Sequence, residues 1–267
     1  MTRARMAAAR HMRRALSSIL ALSLLCVAAS SAEAAQVAVT YKVDVGPMTL
    51  TTVRLLIDMQ PDVVTSKARI KSGGVANLFA EYSAVAEATS LIGEGAPQPV
   101  KFNLVRERDN DIRKVSLSWT PDGTLAYEPK SPKPERRDSI AKALTGSVTD
   151  PITAVLRVGT AGETPCPSVH DVFDGRDVFE LALTGKGNGT VDETVDYRGA
   201  VQLCEVRWTP LAGRAKDKNV PGDTYDVAFA PVGKLPRGQQ LWLPVDLTGS
   251  LKGLPFRAYA EKIDVVD

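Results

Sequence analysis

Alternation with a period of two is what most constrains this chain. In Val37-Val39-Tyr41-Val43-Val45 the odd positions are apolar, while Thr40, Lys42 and Asp44 sit between them. Val115-Leu117-Trp119 alternates with Lys114, Ser116 and Ser118, and Phe179-Leu181-Leu183 alternates with Val178, Glu180 and Ala182. Tyr225-Val227-Phe229 and Leu241-Leu243-Val245-Leu247 repeat the pattern. Successive side chains of a strand point to opposite faces, so such runs are half-buried strands with one face on a core and one in water. Turn signals fall between them: Gly46-Pro47, Pro121-Asp122-Gly123, Asp174-Gly175 and Gly187-Asn188-Gly189. Strands joined by tight turns reverse direction, so the sheet is antiparallel.

The predicted strands fall near 36–45, 49–59, 62–71, 80–92, 99–108, 112–120, 169–184, 190–208, 224–230, 238–247 and 255–265, with 169–184 a hairpin turning at Asp174-Gly175. Helix is scarce. Asp150 can cap a helix that has Pro151 in its first position and Ile152, Val155 and Leu156 on one face. A second candidate covers Arg137–Leu144. The stretch Glu128–Arg137 ahead of both contains three prolines and reads as a solvated loop. The expected fold class is all-β and mainly antiparallel: a single strongly curved sheet or half-closed barrel of about ten strands, with one or two short helices.

The first residues carry an address. Arg3, Arg5, Arg10, Arg13 and Arg14 precede an apolar stretch from Ile19 to Ala29 and then Ala32-Glu33-Ala34. Basic, apolar, then A-x-A is the secretory pattern, with cleavage expected after Ala34. Residues 1–34 are therefore read as a signal peptide and 35–267 as a single β-rich periplasmic domain. The apolar stretch is short for a permanent span. Arg13-Arg14 fits a twin-arginine signal only loosely, so ordinary secretion is the simpler reading. Cys26 follows Leu25 where lipidation wants a small residue, and it leaves with the leader. Removing the leader takes five of 33 basic and one of 31 acidic residues, which turns a formal +2 into about −2. No argument for a nucleic-acid partner survives that change. The composition, 44% hydrophobic and 24% charged, is that of a globular chain with no span after the leader.

Cys166 and Cys204 are then the cysteines of the exported part. An even pair in an oxidising compartment is read as a disulfide. Cys166 is followed by Pro167-Ser168-Val169, which lacks the C-x-x-C of redox chemistry, and two isolated thiols do not make a metal site.

The search for chemistry finds little. His170 is the one histidine after the leader, and its strand neighbour Asp171 points the other way, so a surface or interface role is preferred to an acid–base pair. Asp171, Asp174 and Asp177 lack the spacing of a calcium loop. G-x-S-x-G, Walker and H-E-x-x-H motifs are missing. No catalytic, metal-binding or cofactor-binding residue is therefore expected. Trp119 belongs to the core, and Trp242 either lines a groove or packs under a loop.

An ordered set of segments carries a resemblance. It comprises Tyr41–Gly46, Ala68–Phe79, Asp150–Val155, Val172–Leu181, Leu241-Trp242-Leu243 and Leu254–Ala258. Together they resemble the exported domain-of-unknown-function family 3108 of Gram-negative bacteria. Cys166, Cys204 and Val206–Gly213 look like its alphaproteobacterial two-cysteine form. The resemblance implies a periplasmic β-rich protein and carries over no catalytic residue. Its fold character is similar to the half-closed sheets of periplasmic lipoprotein carriers, an analogy that transfers no function.

Two readings of function follow. In the first, the chain is a non-catalytic periplasmic binding module of the cell envelope, holding a lipid or lipoprotein-like apolar ligand in its concave face. In the second, it is a structural or protein-interaction factor with a filled core, its partners docking on loops such as 128–138 or on a strand edge. An uncharacterised hydrolase is third. A sheet interior filled by the 150–157 helix favours the second reading; an open groove favours the first.

Overall fold

Alternating strands joined by tight turns build a long meander here. The computed structural model describes residues 35–73, 81–109, 111–127, 133–144, 148–219, 222–251 and 253–266. The leader, the Gly74–Phe79 part of one resemblance segment and Glu128–Pro132 of the proline-rich loop lie outside the described residues.

The N-terminal run contains β1 (Ala35–Val45), β2 (Met48–Met59), β3 (Val63–Ser72), β4 (Tyr82–Leu91), β5 (Gln98–Arg108), β6 (Asp111–Trp119) and β7 (Leu125–Ala126). Helices α1 (Pro134–Ala143) and α2 (Pro151–Gly159) follow. The C-terminal run contains β8 (Ser168–Phe173), β9 (Asp177–Gly189), β10 (Val201–Gly213), the short helix α3 (Arg214–Asp217), β11 (Asp223–Lys234), β12 (Gln240–Leu251) and β13 (Leu254–Val266). All thirteen strands join one antiparallel sheet in the order β7-β6-β5-β4-β3-β2-β1-β13-β12-β11-β10-β9-β8. Each arm is thus a consecutive meander. The first and last strands meet in the middle, from Gln36↔Val266 to Val45↔Phe256. Among the described residues the sheet does not close by hydrogen bonds, and β7 and β8 are its edges. Among the described residues no helix is long and apolar enough to cross a membrane.

The all-β reading holds, with three corrections. There are thirteen strands and three short helices among the described residues, against about ten and one or two. The expected strand 190–208 begins only at Val201, and 190–200 is irregular. Gly187-Asn188-Gly189 is not a turn but the end of β9, paired to Leu203, Gln202 and Val201. Gly187 takes φ +100° beside a register shift in the β9–β10 pairing. A left-handed glycine serves a bulge as readily as a turn, and sequence alone does not separate the two. The hairpin at Asp174-Gly175 is as expected: Gly175 has φ +87°, and Asp174 Oδ1 accepts from the backbone N–H groups of Arg176 and Asp177 at 2.8 Å each.

Helix α2 organises the interior. Asp150 caps it as predicted, its Oδ1 accepting from the N–H groups of Ile152 and Thr153 at 2.9 Å each. The helix touches β4 on one arm and β8 and β12 on the other. Thr153 meets Ser90 of β4, with 2.9 Å between the hydroxyl oxygens, and Arg157 Nε donates to Pro97 O at 2.8 Å. Its apolar residues reach all three core clusters. Ile152 packs with Phe102, Leu117 and Phe173, Leu156 with Val37, Ile57 and Leu243, and Val158 with Leu183, Val227 and Phe229. Side chains thereby bring the sheet's two ends together where backbone pairing does not: Phe102, Leu117 and Trp119 of one arm share a cluster with Phe173, Val178 and Ala212 of the other. Residues 33–267 form one compact unit.

Candidate functional site: an apolar groove beside the central helix

The register of the C-terminal arm stacks large apolar residues in rungs. Leu183, Val206 and Tyr225 face one another across β9, β10 and β11. Leu181, Trp208 and Asp223 form the next rung. Cys204, Val227 and Leu247 form another, and Phe229 pairs with Pro244. Opposite these rungs stand Ala154, Val155 and Val158 of α2. Between helix and sheet lies a groove of about 440 Å³. Its size and apolar lining are those of a small-ligand site. A smaller apolar hollow of about 270 Å³ continues past the shared residues Tyr225 and Leu247 to Phe256 and Ala258.

The groove stays open because the large side chains of β9–β11 face small and medium ones, Ala154, Val155 and Val158, on the helix. At its C-terminal end α2 is pressed onto β12: a Cβ on Gly159 would lie 2.2 Å from the Trp242 carbonyl oxygen. That contact sets the height of the helix, and the large residues of β9–β11 then leave a gap they do not fill. Among the lining residues Asp223 is the charged one, and Tyr225 donates its hydroxyl to Asp223 Oδ2 at 3.3 Å. Burial, then the Asp223 charge, push the Tyr225 hydroxyl above its usual range. The groove therefore has one polar end and an apolar body.

Cys166 and Cys204 form the expected disulfide, with Cα atoms 6.4 Å apart. It lies in the cluster that floors the groove, with Val158, Leu183, Val227 and Phe229. The sequence placed the bond but not its position under a groove; only the register of β10 and β11 reveals that.

The other singled-out residues do not converge. Trp119 is in the core, its indole N–H donating to Val148 O at 3.0 Å. Trp242 packs, half-buried, against the groove's floor cluster, and its backbone carbonyl lies under the end of α2. His170 is not on the open surface: it is half-buried, and its Nε2 is buried without a hydrogen-bond partner. Burial foremost, and the Arg157 charge, hold its pKa below the ordinary range, with Asp171 opposing. Asp174 serves the hairpin turn, and burial pushes its carboxyl up. Among the described residues no group of His, Cys, Asp and Glu side chains could hold a metal ion. Glu81, Glu107 and Asp109 gather near Ser83 at the end of the β4–β5 hairpin, all three exposed. Solvated carboxylates in that setting do not by themselves make an acid–base pair.

Residues 39–229 match the family described as Protein of unknown function (DUF3108). The match runs from β1 into β11 and includes most of the groove. A similar solved structure is the crystal structure of a beta-barrel-like protein of domain of unknown function DUF1849 from Brucella abortus. It is 14% identical, with a TM-score of 0.44, over 88% of this chain and 98% of that one. No curated protein matches the chain.

Proposed function

We propose, for a chain that belongs to the DUF3108 family of proteins of unknown function, a role as a non-catalytic periplasmic binding module that holds the acyl chain of an amphiphile. The observation that carries the reading is the groove of about 440 Å³ between α2 and β9–β12, apolar along its body and polar at Asp223 and Tyr225. An acyl chain gains by leaving water for such a surface, about 0.8 kcal/mol per buried methylene. The Asp223–Tyr225 end suits a head group with a hydrogen-bond donor. Export is supported by the leader pattern of residues 1–34 and by a disulfide that an oxidising compartment maintains. The absence of a histidine–nucleophile constellation in the sequence supports a role without catalysis.

The test is direct. The exported protein is purified from the envelope, its bound lipids are read by native mass spectrometry, and a fluorescent fatty acid is titrated into the delipidated form. Saturable binding that Val206→Arg abolishes, with the melting temperature kept within a few degrees, is the expected result. A probe that does not bind, or binds equally to the variant, defeats the reading. The N-terminal arm favours the interaction-factor alternative for its own half. There α2 sits directly on β4 through Thr153 and Ser90, and the face of β3 and β4 beneath it is filled.

A further inference from the structure

A second cleft lies where the two ends of the sheet approach. Its volume is about 430 Å³, and six cationic residues lie along it: Arg106, Arg113, Lys114, Arg136, Arg176 and Arg214. They come from three parts of the chain. Arg106, Arg113 and Lys114 belong to β5 and β6, Arg136 to α1, and Arg176 and Arg214 to the C-terminal arm. The fold forces this meeting. The β8–β9 turn is pressed against β6 so closely that a Cβ on Gly175 would lie 2.2 Å from Val115 Cγ1, and Tyr127 donates its hydroxyl to Gly175 O at 2.9 Å.

The charges are not balanced from within. Arg113 pairs with Asp111 at 2.9 Å, Arg136 with Asp217 at 2.7 Å and Arg176 with Asp177 at 3.4 Å. Among the described residues Arg106, Lys114 and Arg214 make no ion pair. The half-buried Asp174 is the remaining acid at the cleft, and its Oδ1 is already taken by two backbone N–H groups. The cations feel one another: after burial and Asp177, the Arg214 and Arg106 charges act on Arg176, both disfavouring its protonated form. Gathering like charges this way opposes folding unless a counter-anion sits among them. Guanidinium forks match the oxygens of a phosphate group in paired hydrogen bonds.

We propose that this cleft binds a phosphate group, and that the bound group clamps the two arms of the sheet across a seam where, among the described residues, β7 and β8 do not pair. The site is separate from the apolar groove and does not depend on what the groove holds. Leu104, Val115 and Ile140 give the cleft an apolar wall. Both free phosphate and a phospholipid head group present the required chemistry.

The exported protein is melted in about 10 mM sodium phosphate and in sodium chloride of equal ionic strength, alongside the Arg106→Gln/Arg214→Gln double variant. Parallel samples contain short-chain phosphatidylglycerol below its micelle concentration. A rise of several degrees in phosphate that the double variant loses identifies a free-phosphate site. A rise with the short-chain lipid alone, also lost in the variant, identifies a head-group site. No rise with either ligand, or one that persists in the variant through general salt stabilisation, overturns the proposal. Removing two repelling charges should leave the unliganded variant at least as stable as the parent. If it does not fold, Arg214→Gln alone should shrink the same shift. Hydrogen exchange reports the clamp: protection must increase together at residues 174–177 and along β6. Binding without that joint protection refutes it.

Discussion

The two arms of the sheet carry the same alternation and put it to different uses. On the N-terminal arm the concave face of β3 and β4 is small in its middle, with Ser66, Ala68, Ala84, Ala86, Ala88 and Ser90, and carries Val64 and Ile70 towards its ends. A helix can settle onto such a surface, and Thr153 of α2 comes within hydrogen-bonding distance of Ser90. On the C-terminal arm the equivalent positions of β9–β11 are Leu181, Leu183, Val206, Trp208, Tyr225 and Val227. These hold the helix away and line a groove. The pairings differ too. The β2–β3, β3–β4 and β5–β6 ladders run without a register shift, while β9–β10 and β11–β12 contain two each. Bulges bend and twist a strand. Side-chain size thus decides whether a curved sheet is filled by its helix or keeps a cavity, and bulges shape the arm that keeps one.

Breaking the disulfide tests the C-terminal arm most severely. The bond closes a 38-residue separation, and loop entropy puts its stabilisation at about 4 kcal/mol at most. Cys166→Ser and Cys204→Ser should each lower stability by a few kcal/mol in denaturant melts, and the double variant should be no worse than either. Additive losses would mean the sulfurs act separately. Overpacking separates the arms more sharply. Ala88→Leu, in the filled N-terminal core at 3% exposure, should cost about 1–3 kcal/mol. Val206→Phe, facing the groove, should cost less than about 1 kcal/mol and weaken fatty-acid binding. Equal costs at the two sites would refute the filled-versus-open distinction.

Asp150→Ala removes the cap of the helix that both arms share, and should cost about 1–2 kcal/mol by chemical denaturation. The smallest expected effect is a pH dependence. His170 has its pKa lowered in the folded protein, so the unfolded chain binds more protons as pH falls through the ordinary histidine range near 6.5. Its contribution is intact above that range and lost progressively below it. Asp150 opposes this at lower pH: burial raises its pKa, so the folded state keeps that proton longer, and the resulting stability is lost as pH rises through the raised value. Melting temperatures measured from pH 8 to 5 should fall less in His170→Gln than in the parent. A parallel decline would show that another group titrates.

Much of the secondary structure was legible because it is written locally. The runs at Val37–Val45 and Tyr225–Phe229 are strands, Asp150-Pro151 begins a helix, and Asp174-Gly175 turns a hairpin. Other features were not. The two-residue β7 is too short to show a period, and Gly187-Asn188-Gly189 is chemically a turn but structurally a strand end with a bulge. The groove was visible only as a surplus of apolar positions, since nothing local says that Leu183, Val206 and Tyr225 share a rung. The basic cleft was invisible. Its six cations are spread from position 106 to 214, and four of them are isolated from one another in sequence.

By itself the sequence determined the alternation, the reversals, the cap of α2 and a pair of cysteines suited to a bond. These depend on a residue and its near neighbours, through the two-residue period of a strand, the φ a glycine permits and the oxygen a cap supplies. Tertiary structure alone decided that β1 would pair with β13, that the face of β3 and β4 would be filled and that of β9–β11 left open, and that distant arginines would gather at a seam. Those outcomes depend on register and on the bulk of side chains that meet across the whole length of the chain. A one-residue slip in pairing would exchange every face, and only the assembled sheet selects among the registers.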